Sequence, residues 1–75
     1  MTFKDLCYVL GTGNVLFVYD RAQENLANGL VSAIRRDRGY LMDKEVLCVD
    51  SCMSKYWQES YIEVTLDIRK EELFR

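Results

Sequence analysis

The chain contains no His and no Pro. Without His, the one side chain whose unperturbed pKa lies near neutrality is missing, and with it the commonest metal ligand. Cysteine is scarce. Cys7, Cys48 and Cys52 are an odd number, which excludes a closed disulfide framework, and a structural zinc site needs a fourth N or S ligand. Cys48 and Cys52 stand four apart, which suits neither a redox Cys-x-x-Cys motif nor a zinc knuckle, so reduced core thiols are expected. No apolar run approaches the length of a membrane span, so no membrane partner is expected. The opening Met1-Thr2-Phe3-Lys4-Asp5 does not begin a signal peptide, and the expected location is the cytoplasm. Excess positive charge is absent too. Ten basic residues face twelve acidic ones, a net charge of −2, which argues against a nucleic-acid binder relying on clustered Lys and Arg.

What is present is the material for one small core. The 75 residues are expected to form a single domain (1–75), and the hydrophobic fraction of 49%, with five Tyr, three Phe and one Trp, argues against disorder. At this size roughly 60% of the unfolded chain's surface is buried on folding, so the stability margin is thin. Surplus aromatics and strand edges without Pro then favour a homodimer.

Thr2 is placed to cap a helix over 3–10, its hydroxyl accepting from the amide of Asp5. Phe3, Leu6, Cys7 and Leu10 share one face of that helix, and Gly11 supplies the left-handed residue after it. Gly11-Thr12-Gly13-Asn14 reads as a turn; phosphate-cradling loops follow a strand and open a helix, the reverse of the order here. Val15-Leu16-Phe17-Val18-Tyr19 reads as a well-buried strand. Residues 26–34 fit two readings, part of an amphipathic helix over 22–38 with Ala22, Leu26, Leu30 and Ala33 on one face, or a strand kinked at Asn28-Gly29. Arg35-Arg36-Asp37-Arg38-Gly39 reads as a basic loop, 40–44 as one helical turn, and 45–50 as a strand with an apolar centre. A broad connection over 51–60 contains Tyr56 and Trp57. The clearest strand is 61–68, with Ile62, Val64, Leu66 and Ile68 inward and Tyr61, Glu63, Thr65 and Asp67 outward. Such alternation implies one solvated sheet face, as in antiparallel sheets. The tail 69–75 reads as a last helical turn.

The order of elements resembles a group of small uncharacterised accessory proteins from phages and prophages of Firmicutes. The shared features are the Thr-capped helix from Thr2, the Val18-Tyr19-Asp20 strand end, Gly29-Leu30-Val31-Ser32-Ala33-Ile34, Leu41-Met42-Asp43-Lys44-Glu45-Val46, and a final alternating strand. The resemblance implies an α+β fold, a short N-terminal helix packed on a three- to four-stranded antiparallel sheet, and it tips 26–34 towards strand. It passes on no catalytic residues. The setting it implies is an inhibitor of a host defence protein, anti-CRISPR-like in kind.

The residues themselves point away from catalysis. Nothing in the sequence desolvates one of Asp43, Glu45 and Asp50 selectively, and Cys48 has no His to activate it. No EF-hand or Asp-x-Asp spacing occurs. The expectation is a non-enzymatic protein-binding module with no cofactor and no metal, whose partner is a host protein. Its candidate contacts are Tyr56, Trp57 and Tyr61, of the residue types enriched at binding hot spots, with Glu63 and the basic Arg35, Arg36 and Arg38. The alternative is a binder of a small nucleotide signal, gripping phosphate with Arg35, Arg36 and Arg38 and Tyr40 in a pocket between subunits.

Overall fold

The computed structural model describes residues 1–53 and 60–74. Helix α1 spans Phe3–Leu10, strands β1 and β2 span Val15–Tyr19 and Asn25–Leu30, and helix α2 spans Val31–Asp37. A 3-10 turn at Gly39–Leu41 leads to β3 (Val46–Met53) and β4 (Ser60–Leu66), and a 3-10 segment at Lys70–Phe74 follows. The four strands form one sheet in the order β2-β1-β4-β3. The fold is α+β with the N-terminal helix on the sheet, as the sequence predicts.

Helix α1 begins where its cap requires. The Asp5 amide donates to Thr2 Oγ1 at 3.3 Å while the Thr2 amide donates to the Asp5 carboxylate at 3.2 Å, a reciprocal capping box. These bonds to Thr2 hold the Asp5 carboxyl below its ordinary range. Phe3, Leu6 and Cys7 are buried and Leu10 packs against the same cluster. Gly11 ends the helix at φ 78°, a positive value that costs Gly nothing, with ψ 163° in place of the expected left-handed helical value.

The sheet is mixed, which corrects the antiparallel expectation. β1–β2 and β3–β4 are antiparallel, but β1 and β4 run parallel, with Leu16 against Ile62 and Val18 against Val64. The two strands with the most apolar inner faces thus occupy the centre. Leu16, Val18, Val64 and Leu66 are all fully buried and join Phe3, Val31, Ile34 and Leu41 in one core. Both helices contribute to this core, so both lie on the same side of the sheet.

Residues 26–34 match neither reading whole: the strand reading holds to Leu30, and the helix that follows buries Val31 and Ile34 in place of the expected Ala22, Leu26, Leu30 and Ala33 face. The chain is strand to Leu30 and helix from Val31, and Gly29 takes φ 130°, a conformation that side-chain-bearing residues rarely adopt. Beyond it Val31 and Ile34, three apart, are both buried, as a helical face demands. The strand reading suggested by the phage-protein resemblance therefore fails for 31–34. Arg35 and Arg36 close α2 instead of forming a loop. β3 is longer than expected, taking in Ser51, Cys52 and Met53, and is exposed along most of its length as an edge strand. Leu47, Val49 and Met53 remain 55%, 44% and 71% exposed.

Replacing Leu66 with Ala removes a fully buried side chain of β4, opposite Val46 of β3 and part of the core cluster. The cavity and transfer terms together should lower stability by about 2–4 kcal/mol. Urea denaturation measures this, and an unchanged midpoint would refute the inward register of β4.

Candidate functional site

Period-two alternation in β1 and β4 sends Leu16, Val18, Val64 and Leu66 into the core and turns the intervening residues to the opposite face. That face carries Val15, Phe17 and Tyr19 from β1 and Tyr61, Glu63 and Thr65 from β4, all half-buried. The strand 15–19, expected to be well buried, is buried on one side and half-buried on the other. Register extends the face outward. Phe17 lies beside Glu63, and Glu63 lies opposite Asp50 of β3; Tyr61 lies opposite Cys52, and Thr65 opposite Cys48. On the other flank Asn28 and Leu30 of β2 oppose Phe17 and Val15.

The aromatic centre is ordered. The Phe17 and Tyr61 rings meet edge to face, centroids 4.8 Å apart at 68°, the geometry favoured by the ring quadrupoles. Partial burial, first, and then the neighbouring Cys52, Glu63 and Tyr19 push the Tyr61 hydroxyl above its ordinary pKa, so it stays a neutral donor. The Cys48 thiol donates to the Asp50 carboxylate at 3.5 Å, and this bond raises its pKa. Burial raises that of Cys7. Neither has the lowered pKa of a nucleophilic thiol. All three cysteines are free, but Cys48 is exposed, which corrects its assignment to the core.

The sequence-derived site residues separate in space. Tyr61 and Glu63 share the outer face. Arg35, Arg36 and Arg38 sit at the end of α2, on the helix-bearing side of the sheet. There Arg36 grips Asp37 with two bonds of 3.0 and 3.3 Å, and Arg38 donates to the Asp37 carbonyl at 3.4 Å. Cations in the last turn also complement the helix dipole, which gives Arg35 and Arg36 a local role. A cleft of about 70 Å³ beside Arg38 is lined by Ala27, Asn28, Ala33, Ile34 and Asp37, well short of the roughly 300 Å³ at which small-molecule sites begin. Tyr56 and Trp57 lie outside the described residues. Among the described residues no group of three metal-ligating side chains gathers, and no helix is long and apolar enough to cross a membrane.

The sequence reading missed the partners of Tyr61. Phe17, Tyr19, Asp50 and Cys52 join it only through strand register. It also missed Asp20, which is fully buried. The Ala22 and Glu24 amides donate to Asp20 Oδ1 and the Lys70 amide donates to Oδ2, all at 2.8 Å. Burial raises the pKa of this carboxyl, and the three amide bonds together outweigh it, leaving the pKa below the ordinary value. The carboxylate closes the β1–β2 turn, where Gln23 takes φ 64°, and fastens the segment after β4 to the end of β1. Arg21 adds ion pairs to Asp67 at 3.4 Å and Glu72 at 2.9 Å.

Asp20→Asn turns an amide group towards at least one backbone N–H that now has no acceptor. The cost at neutral pH should be on the order of 2–3 kcal/mol. A depressed native pKa means the wild-type contribution is complete above about pH 5, where an unfolded Asp is ionised, and is lost as pH falls through the native value. Thermal melts of the two proteins should therefore differ most at pH 7 and converge in acid. A difference independent of pH would contradict a charged clasp.

No family model matches the chain, and no curated protein or solved structure matches it.

Proposed function

We propose that this chain is a non-enzymatic protein-binding module whose docking surface is the outer face of the sheet. One observation supports the reading above the rest: the central strands place Phe17, Tyr19 and Tyr61 together on a face that neither helix covers. Aromatic side chains bury large areas with few torsions to freeze, so an ordered cluster on an open sheet is suited to partner contact. The phage-protein resemblance supports a more specific form of the reading, an inhibitor that occupies a host defence protein in the cytoplasm. Binding of a nucleotide signal at Arg35, Arg36 and Arg38 has weaker support, since Asp37 engages Arg36 and Arg38 and the cleft within one chain is small.

Self-association is a second reading, supported by β3. It is an edge strand with Leu47, Val49 and Met53 exposed, and edges of this kind pair with other chains. Light scattering across a dilution series should then give twice the chain mass of 8.8 kDa at high concentration. A constant monomer mass rejects the dimer.

Affinity capture from the producing cell tests the docking surface. Tyr61→Ala combined with Glu63→Ala should abolish retention of the host partner while the variant still folds. Arg35→Ala with Arg36→Ala should retain it. The reverse pattern would transfer the function to the arginine end of α2.

A further inference from the structure

The chemistry of the partner is written into the row of the outer face that crosses the sheet through Phe17, Glu63 and Asp50. Residues directly opposite on antiparallel strands have Cβ atoms about 5 Å apart, and like charges so placed repel. Glu63 and Asp50 form such a pair, and among the described residues neither has an ion-pair partner. Beside them stands the Phe17–Tyr61 edge-to-face pair. No Lys or Arg occupies the outward positions of β1, β3 or β4 among the described residues.

Resting on the docking reading above, we propose that the outer face receives an arginine-bearing segment of the partner protein, one guanidinium lying over the Phe17–Tyr61 pair and bridging Glu63 and Asp50. A guanidinium suits this row better than an ammonium for two reasons. Its planar fork donates to two carboxylates at once, and its face stacks on an aromatic ring. The ring quadrupole adds a cation–π attraction. The bound cation also cancels the Glu63–Asp50 repulsion that the free protein retains, so recognition relieves a local strain of charge as well as forming new contacts. A second copy of the chain is a poor occupant of this row, because it would bring two more carboxylates against the first two and each chain is already net negative.

The test is a titration of the isotopically labelled full chain, followed by amide chemical shifts. The ligands are a blocked peptide of alternating Gly and Arg, its lysine counterpart, and a citrulline counterpart that keeps the shape and removes the charge. The arginine peptide should give saturable shifts centred on Phe17, Asp50, Tyr61 and Glu63. Affinity should fall at least about tenfold with citrulline, and several-fold with lysine. Glu63→Gln with Asp50→Asn should weaken arginine binding by a similar factor. The same double variant alters the Cys48–Asp50 contact as well as the repulsion, so its fold is checked separately. Its amide spectrum away from this row should match the wild type, and lost binding cannot then be ascribed to unfolding. Shifts centred instead on Asp43, Glu45 or Glu72, equal affinity for the lysine and arginine peptides, or unchanged binding by the double variant would overturn the proposal. Loss of peptide binding alongside capture that still depends on Tyr61 would overturn the arginine chemistry and leave the docking surface standing.

Discussion

Two short helices cannot cover both faces of a four-stranded sheet. Helices α1 and α2 have eight and seven residues, so each spans about 12 Å or less along its axis. The longest strand, β3, has eight residues and extends about 27 Å. Among the described residues, the helices therefore seal one face over the central strands and leave the far end of β3 exposed and the opposite face half-buried, with no helix on it. The helices meet the sheet where Leu16, Val18, Val64 and Leu66 are buried, and Val49 and Met53 at the unsealed end are not. Everything that makes the molecule interesting as a binder follows from that shortage of cover.

The centre of the sheet joins distant parts of the chain. β1 and β4 are separated by β2, α2 and β3, yet they pair in parallel and supply the most deeply buried strand residues. Such a contact brings a loop-closure cost that local elements do not have. Asp20 secures it at one end. Its carboxylate shapes the turn leaving β1 and captures the Lys70 amide just beyond β4, so the two central strands are tied together by charge-assisted bonds to the backbone as well as by packing.

Local signals were the legible ones. Thr2 and Asp5 mark the start of α1, and the spacing of Phe3, Leu6 and Cys7 gives its buried face. The alternation from Tyr61 to Leu66 gives both the strand and its inward side. Non-local features could not be read this way. Whether a strand lies at the centre or the edge decides its burial, and the apolar letters of β3 resemble those of a core strand although β3 is an edge. The helix of 31–37 is announced by only two buried positions, Val31 and Ile34, too few to outweigh the strand-like letters before them. Asp20 is one acidic letter at a strand end, and nothing local distinguishes a buried clasp from a solvated turn. On the candidate site, Tyr61 and Glu63 were identifiable from β4 alone, while Phe17, Tyr19 and Asp50 required the register of neighbouring strands.

A sheet face bearing ordered aromatics and two facing carboxylates, with no helix on it, lies outside the core cluster. Its value lies in what it can receive. Solvent paramagnetic relaxation with a soluble, neutral gadolinium probe tests most directly whether that face is open. The ring protons of Phe17, Tyr19 and Tyr61 should relax strongly, those of Phe3 should stay protected, and the Val18 and Val64 methyls should resemble Phe3. Equal protection of Phe17, Tyr61 and Phe3 would mean that the outer face is already covered in the free protein, which would contradict its assignment as the docking surface.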